Sequence, residues 1–121
     1  MQIHTTIESI RAARRQAGKV ALVPTMGNLH DGHITLMRQA GENADAVFAS
    51  IFVNRMQFGP REDFDRYPRT LEADCAKLEA AGVAHLFAPT EEVMYPQPQT
   101  YHVEPAPDQI NILEGEFRAG H

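Results

Sequence analysis

Two short apolar runs limit what this chain can build. KVALVP, Lys19 to Pro24, and AVFASIFVN, Ala46 to Asn54, are each of strand length, and neither alternates polar with apolar residues. A strand with one wet face shows that alternation. A strand covered on both faces loses it, which is the habit of parallel sheets packed between helices. Between the two runs, ITLMRQAG places Ile34, Leu36, Met37 and Ala40 at helical spacing and closes on Gly41, whose position suits a C-cap. Strand, helix and strand make a βαβ unit with the usual right-handed crossover. Pro24 has no amide hydrogen and is expected to end the first ladder.

The same grammar continues on both sides. Thr5 and Glu8 stand in capping-box spacing ahead of Ile7, Ile10, Ala13 and Ala17 on one helical face, with Gly18 as a stop. Thr70 reads as an N-cap for a helix whose inner face carries Leu71, Cys75, Leu78 and Ala81, and VAHLFAP after Gly82 reads as a third buried strand. Past Pro89, prolines at 96, 98, 105 and 107 interrupt regular structure. There TYHVE reads as an edge strand and QINILEGEFRAGH as a short helix and turn. The fold class is α/β, a Rossmann-like parallel sheet with flanking helices. Three parallel strands are half of the usual doubly wound sheet, so one edge needs cover from a further segment or a partner.

Composition narrows the function. The 121 residues fit one domain, and 43% hydrophobic with 22% charged residues is ordinary globular usage. A net charge of −5 without a basic stripe argues against nucleic acid as partner. The single cysteine, Cys75, rules out an internal disulfide and a four-thiolate zinc site, and on the face of Leu71 and Leu78 it reads as a buried, unreactive thiol. With no secretory h-region and no apolar stretch of membrane-spanning length, the expected setting is soluble and cytoplasmic, with no membrane partner. His4, His85 and His102 have no identifiable partners and are assigned structural or surface roles.

Chemistry concentrates in PTMGNLHDGH, Pro24 to His33, where the first strand gives way to the second helix. In doubly wound sheets ligands collect outside the carboxyl ends of strands. Gly27 allows close backbone approach, Gly32 leaves room at the helix entrance, and unpaired N–H groups with the positive dipole end favour an anion. Asn28 or Asp31 is the candidate cap. His30 and His33 are three apart, so both rings flank one site, each offering an N–H donor. Two donors beside a helix N-terminus suit charge developing on a phosphoryl group, as in adenylylation at an α-phosphate. A plain helix start with surface histidines fits an isolated HxGH equally well, and no third ligand supports a zinc pair.

The longer strings VPTMGNLHDGH, SIFVNRMQFGPREDFDRYPRTLEAD and FAPTEEVMYP closely resemble the pantothenate synthetase (pantoate–β-alanine ligase) family over nearly the whole chain. HxGH alone is shared across a wide nucleotidyltransferase superfamily; FVN..QF and YPRT carry the narrower resemblance. It implies activation of pantoate by MgATP to a pantoyl adenylate with release of pyrophosphate, then attack by the β-alanine amine to give pantothenate and AMP. ATP, pantoate and β-alanine are the implied small-molecule partners, Mg2+ the implied cofactor, and a homodimer the implied assembly.

By the same resemblance Met26, Gly27, Asn28, Leu29, His30, Asp31, Gly32 and His33 form the ATP loop, with His30 and His33 on the phosphates as the catalytic pair. Their role is expected to be electrostatic, since a carboxylate attacking phosphorus needs no base. Gln57, with Asn54 secondary, is implied for pantoate and β-alanine. Met26, Phe52 or Phe58 is expected to wall the gem-dimethyl group. Taken without the resemblance, Gln57 and Asn54 read as turn and cap residues, and Tyr67, Arg69 and Thr70 as helix initiation.

Two positions depart from the family pattern. Arg55 replaces proline in the FVN loop, freeing an N–H, adding charge beside Gln57 and leaving a looser loop, and Ala119 replaces proline near the end. LEGEFRAGH resembles the family's RPGHF segment and the sequence stops at His121 inside it, so residues 1–121 are expected to be the N-terminal Rossmann-like nucleotide-binding domain of a longer protein, without the phosphate loop resembling KMSKS or the C-terminal lid, and to turn over little or nothing alone. The competing readings are another adenylyl- or cytidylyltransferase with the same histidine loop, and a noncatalytic nucleotide-binding or dimerisation module.

Overall fold

The computed structural model describes residues 1–58, 64–66 and 69–118. Tyr67, Pro68, Ala119 and His121 lie outside the described residues. In chain order the elements are β1 (Gln2–His4), α1 (Ile7–Gln16), β2 (Val20–Thr25), α2 (Asp31–Gly41), β3 (Ala46–Ile51), α3 (Leu71–Ala80), β4 (His85–Phe87), α4 (Glu91–Met94) and α5 (Glu114–Phe117). Two 3-10 turns cover Arg55–Gln57 and Phe64–Arg66. Among the described residues four strands form one parallel sheet in the order β1-β4-β3-β2. The α/β reading holds, with one more strand than expected.

The core lies between one face of the sheet and helices α2 and α3. Val23, Ala49 and Leu86 stand side by side across β2, β3 and β4, and all three are buried together with Met37 and Leu78. On the other face α1 packs over β1 and β4. That cover stops short of β2, where Leu22 is 65% exposed. The unalternated run KVALVP thus marks a strand half covered here rather than one buried on both sides.

Several local expectations change. The α1 cap is Thr6, whose hydroxyl accepts from the Ser9 N–H at 3.2 Å, because Thr6 and not Thr5 immediately precedes the first helical residue. Pro24 sits inside β2, paired with Ser50. Its missing donor is tolerated because β2 is an edge strand. TYHVE forms no strand: Tyr101 and Val103 are exposed and outside any ladder. The short helix near the end is α5. His4 and His85 do have partners. His4 Nε2 lies 3.0 Å from His85 Nδ1, and its Nδ1 lies 2.5 Å from Ser9 Oγ, which ties β1 to β4 and to α1.

Candidate active site

Parallel strands send all their exits to one end of the sheet. The β2 exit, Met26 to His30, and the β3 exit, Phe52 to Phe58, therefore lie side by side, with Thr25 paired to Ile51 at the last rung. Gly27 has φ +82° and Asn28 φ +52°, and this left-handed pair turns the chain from strand to helix. A Cβ on Gly27 would come within 3.1 Å of Asp74 Oδ2 and of Ile51 Cγ2, so the loop lies directly on α3 and β3.

The helix cap is neither Asn28 nor Asp31 but His30. Its Nδ1 accepts the Gly32 N–H at 3.1 Å, while His33 Nδ1 accepts the His30 N–H at 3.3 Å, a capping box built from two imidazoles. The fit depends on Gly32, where a Cβ would sit 2.9 Å from His30 Cε1. Ring centroids are 4.1 Å apart. A nitrogen that accepts from an amide carries no proton, so each neutral ring holds its hydrogen on Nε2.

These bonds leave free a different set of donors from the one the sequence suggests. The Gly27 N–H donates to Thr25 Oγ1 at 3.2 Å, those of Asn28 and Leu29 donate to Asp74 at 2.8 Å each, and those of His30 and Gly32 go to the rings. Five of the main-chain donors expected to face a phosphate are therefore already engaged. What those bonds leave unspent on each ring is its Nε2–H, polarised from behind by an amide of the helix start. Leu29 also leaves the ligand surface. Its side chain is 2% exposed in the core, and its carbonyl accepts from Lys77 Nζ.

Asp74 is the residue that sequence reasoning missed. It is 1% exposed, accepts from Asn28, Leu29 and the Thr70 hydroxyl (3.0 Å), and joins α3 to the loop. Thr70 leads α3 as expected, but its hydroxyl binds this carboxylate instead of a helix amide. A signal existed: Asp74 falls on the stripe of Leu71, Cys75 and Leu78 that the sequence assigns to the core, although Leu71 itself proves exposed, and a carboxylate on a buried stripe needs donors brought to it.

A cavity of about 340 Å³ opens at the same end of the sheet. Its wall includes Met26, Gly27, Phe52 and Asp74, with Thr90 and Glu91 opposite. Gln57 and Asn54 are not among its described lining. Asn54 Oδ1 accepts from the Met56 N–H at 3.2 Å and the Tyr95 hydroxyl at 3.0 Å, so its carbonyl end is structural. Gln57 closes the 3-10 turn, and its main-chain carbonyl accepts from Arg118 Nη2 at 2.9 Å. Phe58 packs edge-on against Phe64 at 5.3 Å. Arg55 braces the loop where loosening was expected, with Nε 2.8 Å from Glu91 Oε1 and its guanidinium 4.0 Å over Phe64.

Burial, then His30, depress the His33 pKa, partly opposed by Asp74. Burial, His4 and the N-terminus depress that of His85. Both rings start from an ordinary value of 6.5, so the fold favours them neutral. Their contribution to stability is complete above that value. It is lost as pH falls below it, where the unfolded chain binds protons the fold excludes, and the loss levels off once the depressed folded values are passed. Urea midpoints measured from pH 8 to pH 5 are expected to fall, and His33→Gln with His85→Gln is expected to flatten the fall. A pH-independent midpoint contradicts this. Burial, Asp74 and Glu79 raise the Cys75 pKa, in keeping with an unreactive thiol.

A family model for pantoate-beta-alanine ligase matches residues 2–121. Among solved structures, a pantothenate synthetase from Thermus thermophilus is 46% identical with a TM-score of 0.92, the match covering 100% of this chain and 44% of that one. A second structure from the same organism is 45% identical with a TM-score of 0.93, over 100% and 44%. A pantoate-beta-alanine ligase from Francisella tularensis, complexed with beta-gamma ATP and beta-alanine, is 40% identical with a TM-score of 0.93, covering 100% of this chain and 48% of that one. The chain thus spans less than half the length of these solved relatives.

Proposed function

The chain belongs to the pantoate-beta-alanine ligase family, and from that premise we propose that it is the nucleotide-binding portion of an enzyme joining pantoate to β-alanine. The reaction runs through a pantoyl adenylate to pantothenate, AMP and pyrophosphate. The observation that carries this reading is the imidazole pair capping α2 where β2 gives way to the helix, each ring left with an Nε2–H to donate.

The pantoate carboxylate attacks the α-phosphorus and pyrophosphate leaves. Neither step requires a protein base, so His30 and His33 act by donating hydrogen bonds to phosphate oxygens as their charge redistributes. Because the backbone fixes both rings beforehand, little reorganisation accompanies the reaction. Among the described residues no three His, Cys, Asp or Glu side chains converge. An Mg2+ ion, if carried in on the nucleotide phosphates, would neutralise charge there.

Met26 and Phe52 supply apolar wall for the gem-dimethyl group. The Gln57 amide and the Asn54 NH2 end address pantoate and β-alanine from the neighbouring loop. The remaining length of the relatives supplies further contacts and a lid, and the assembled protein works as a homodimer in the cytoplasm.

Calorimetry tests the reading. MgATP is expected to bind this chain weakly, with heat that disappears in His33→Ala, and pantothenate formation is expected to be slight beside a full-length relative. No heat from the native chain favours a noncatalytic module. Turnover equal to a full-length relative contradicts the part assigned to the lid.

A further inference from the structure

The loop that presents the imidazoles is held less by its own residues than by α3. Asp74 accepts both the Asn28 and the Leu29 amide at 2.8 Å, and the Thr70 hydroxyl at 3.0 Å orients the carboxylate. One turn along, Lys77 donates to the Leu29 carbonyl. The Leu29 residue is therefore clasped at its N–H and its C=O from one helix while its side chain is buried in the core. His30 follows directly. Any shift of this clasp moves the cap, and with it the direction of both Nε2–H donors.

We propose that Asp74 is a positioning residue for adenylate formation, fixing the Asn28–Leu29 amides so that the His30–His33 pair faces the nucleotide. This rests on the reading of the histidine pair given above. A buried carboxylate can satisfy two amides and a hydroxyl at once; an asparagine of the same shape cannot, because its NH2 group faces one of the amides donor to donor. The titratable groups acting on His33 are His30 beside it and Asp74 from α3, with Lys77 nearby on the Leu29 carbonyl. Removing the Asp74 charge withdraws the one influence that supports the protonated ring.

The experiment is Asp74→Asn, followed by NMR in the 121-residue chain. The expected results are amide exchange at Asn28 and Leu29 at least about tenfold faster, a lower His33 titration midpoint, and an MgATP Kd about tenfold weaker. A merely structural carboxylate predicts uniform loss of protection and no specific move of the His33 midpoint. Unchanged loop exchange with MgATP affinity within about twofold overturns the proposal.

Should Asp74→Asn fail to fold, Thr70→Val keeps the charge and removes only the orienting hydroxyl. It is then expected to speed exchange at Asn28 and Leu29 selectively, and no selective change overturns the proposal. If MgATP leaves the native histidines undisturbed, the nucleotide reading fails. The exchange and titration results still report on the positioning of the rings.

Discussion

Replacing His30 and His33 together by alanine is expected to weaken MgATP binding by about two orders of magnitude or more. Each Nε2–H donated to a charged phosphate oxygen contributes about 1.5 to 3 kcal/mol, and about 1.4 kcal/mol is tenfold in affinity. The double change also strips the α2 cap, costing about 1 kcal/mol of stability, so binding must be separated from folding. His30→Asn does this. Asparagine caps helices well and restores the melting temperature, but its short side chain cannot relay the helix amide outward. Calorimetry with parallel thermal melts is expected to show stability recovered and affinity still low. Full recovery of affinity would mean that the rings are not the donors.

Leu86→Ala is expected to destabilise the fold by about 2 to 5 kcal/mol. Leu86 is 0% exposed on β4, between Ile3 of β1 and Ala49 of β3, on the face that α2 and α3 close. Against a total of about 5 to 15 kcal/mol for typical domains, that loss leaves a large unfolded fraction under mild urea. Leu22→Ala is the control: its exposed side chain predicts a change within about 0.5 kcal/mol. Equal effects of the two substitutions would contradict the placement of the core.

Much of the architecture was legible because apolar runs and helix stops report burial directly. KVALVP, AVFASIFVN and VAHLFAP all became parallel strands, and Gly82 follows the end of α3 as expected, whereas Gly41 is the last helical residue of α2 and Glu42 its C-cap. β1 escaped notice because Gln2–His4 is too short to show a period, and its strand character comes from pairing with β4. TYHVE misled for the opposite reason: β-prone residues form no strand without a ladder partner.

At the site, the loop between β2 and α2 and its two histidines were legible, and their hydrogen bonding was not. Spacing places His30 and His33 on one side of a helix start. It cannot reveal that their Nδ1 atoms cap that helix, nor that Asp74, more than forty positions away, consumes two loop amides. Those facts depend on how α3 lands beside the loop, which is tertiary packing. Arg55 makes the same point: a change that frees the backbone on paper is offset by its pairing with Glu91 across the loop.

The central claim is that the imidazole pair at the start of α2 receives the nucleotide phosphates through Nε2–H. Nitrogen-15 NMR of the histidine side chains, recorded as MgATP is added at pH 7.5, tests it most directly. The account predicts Nε2–H tautomers for His30 and His33 before addition, and the largest shifts at those two nitrogens and at the amides of residues 26–33 after it. Nδ1–H tautomers in the free chain, or shifts gathered elsewhere while both rings stay unchanged, would contradict it.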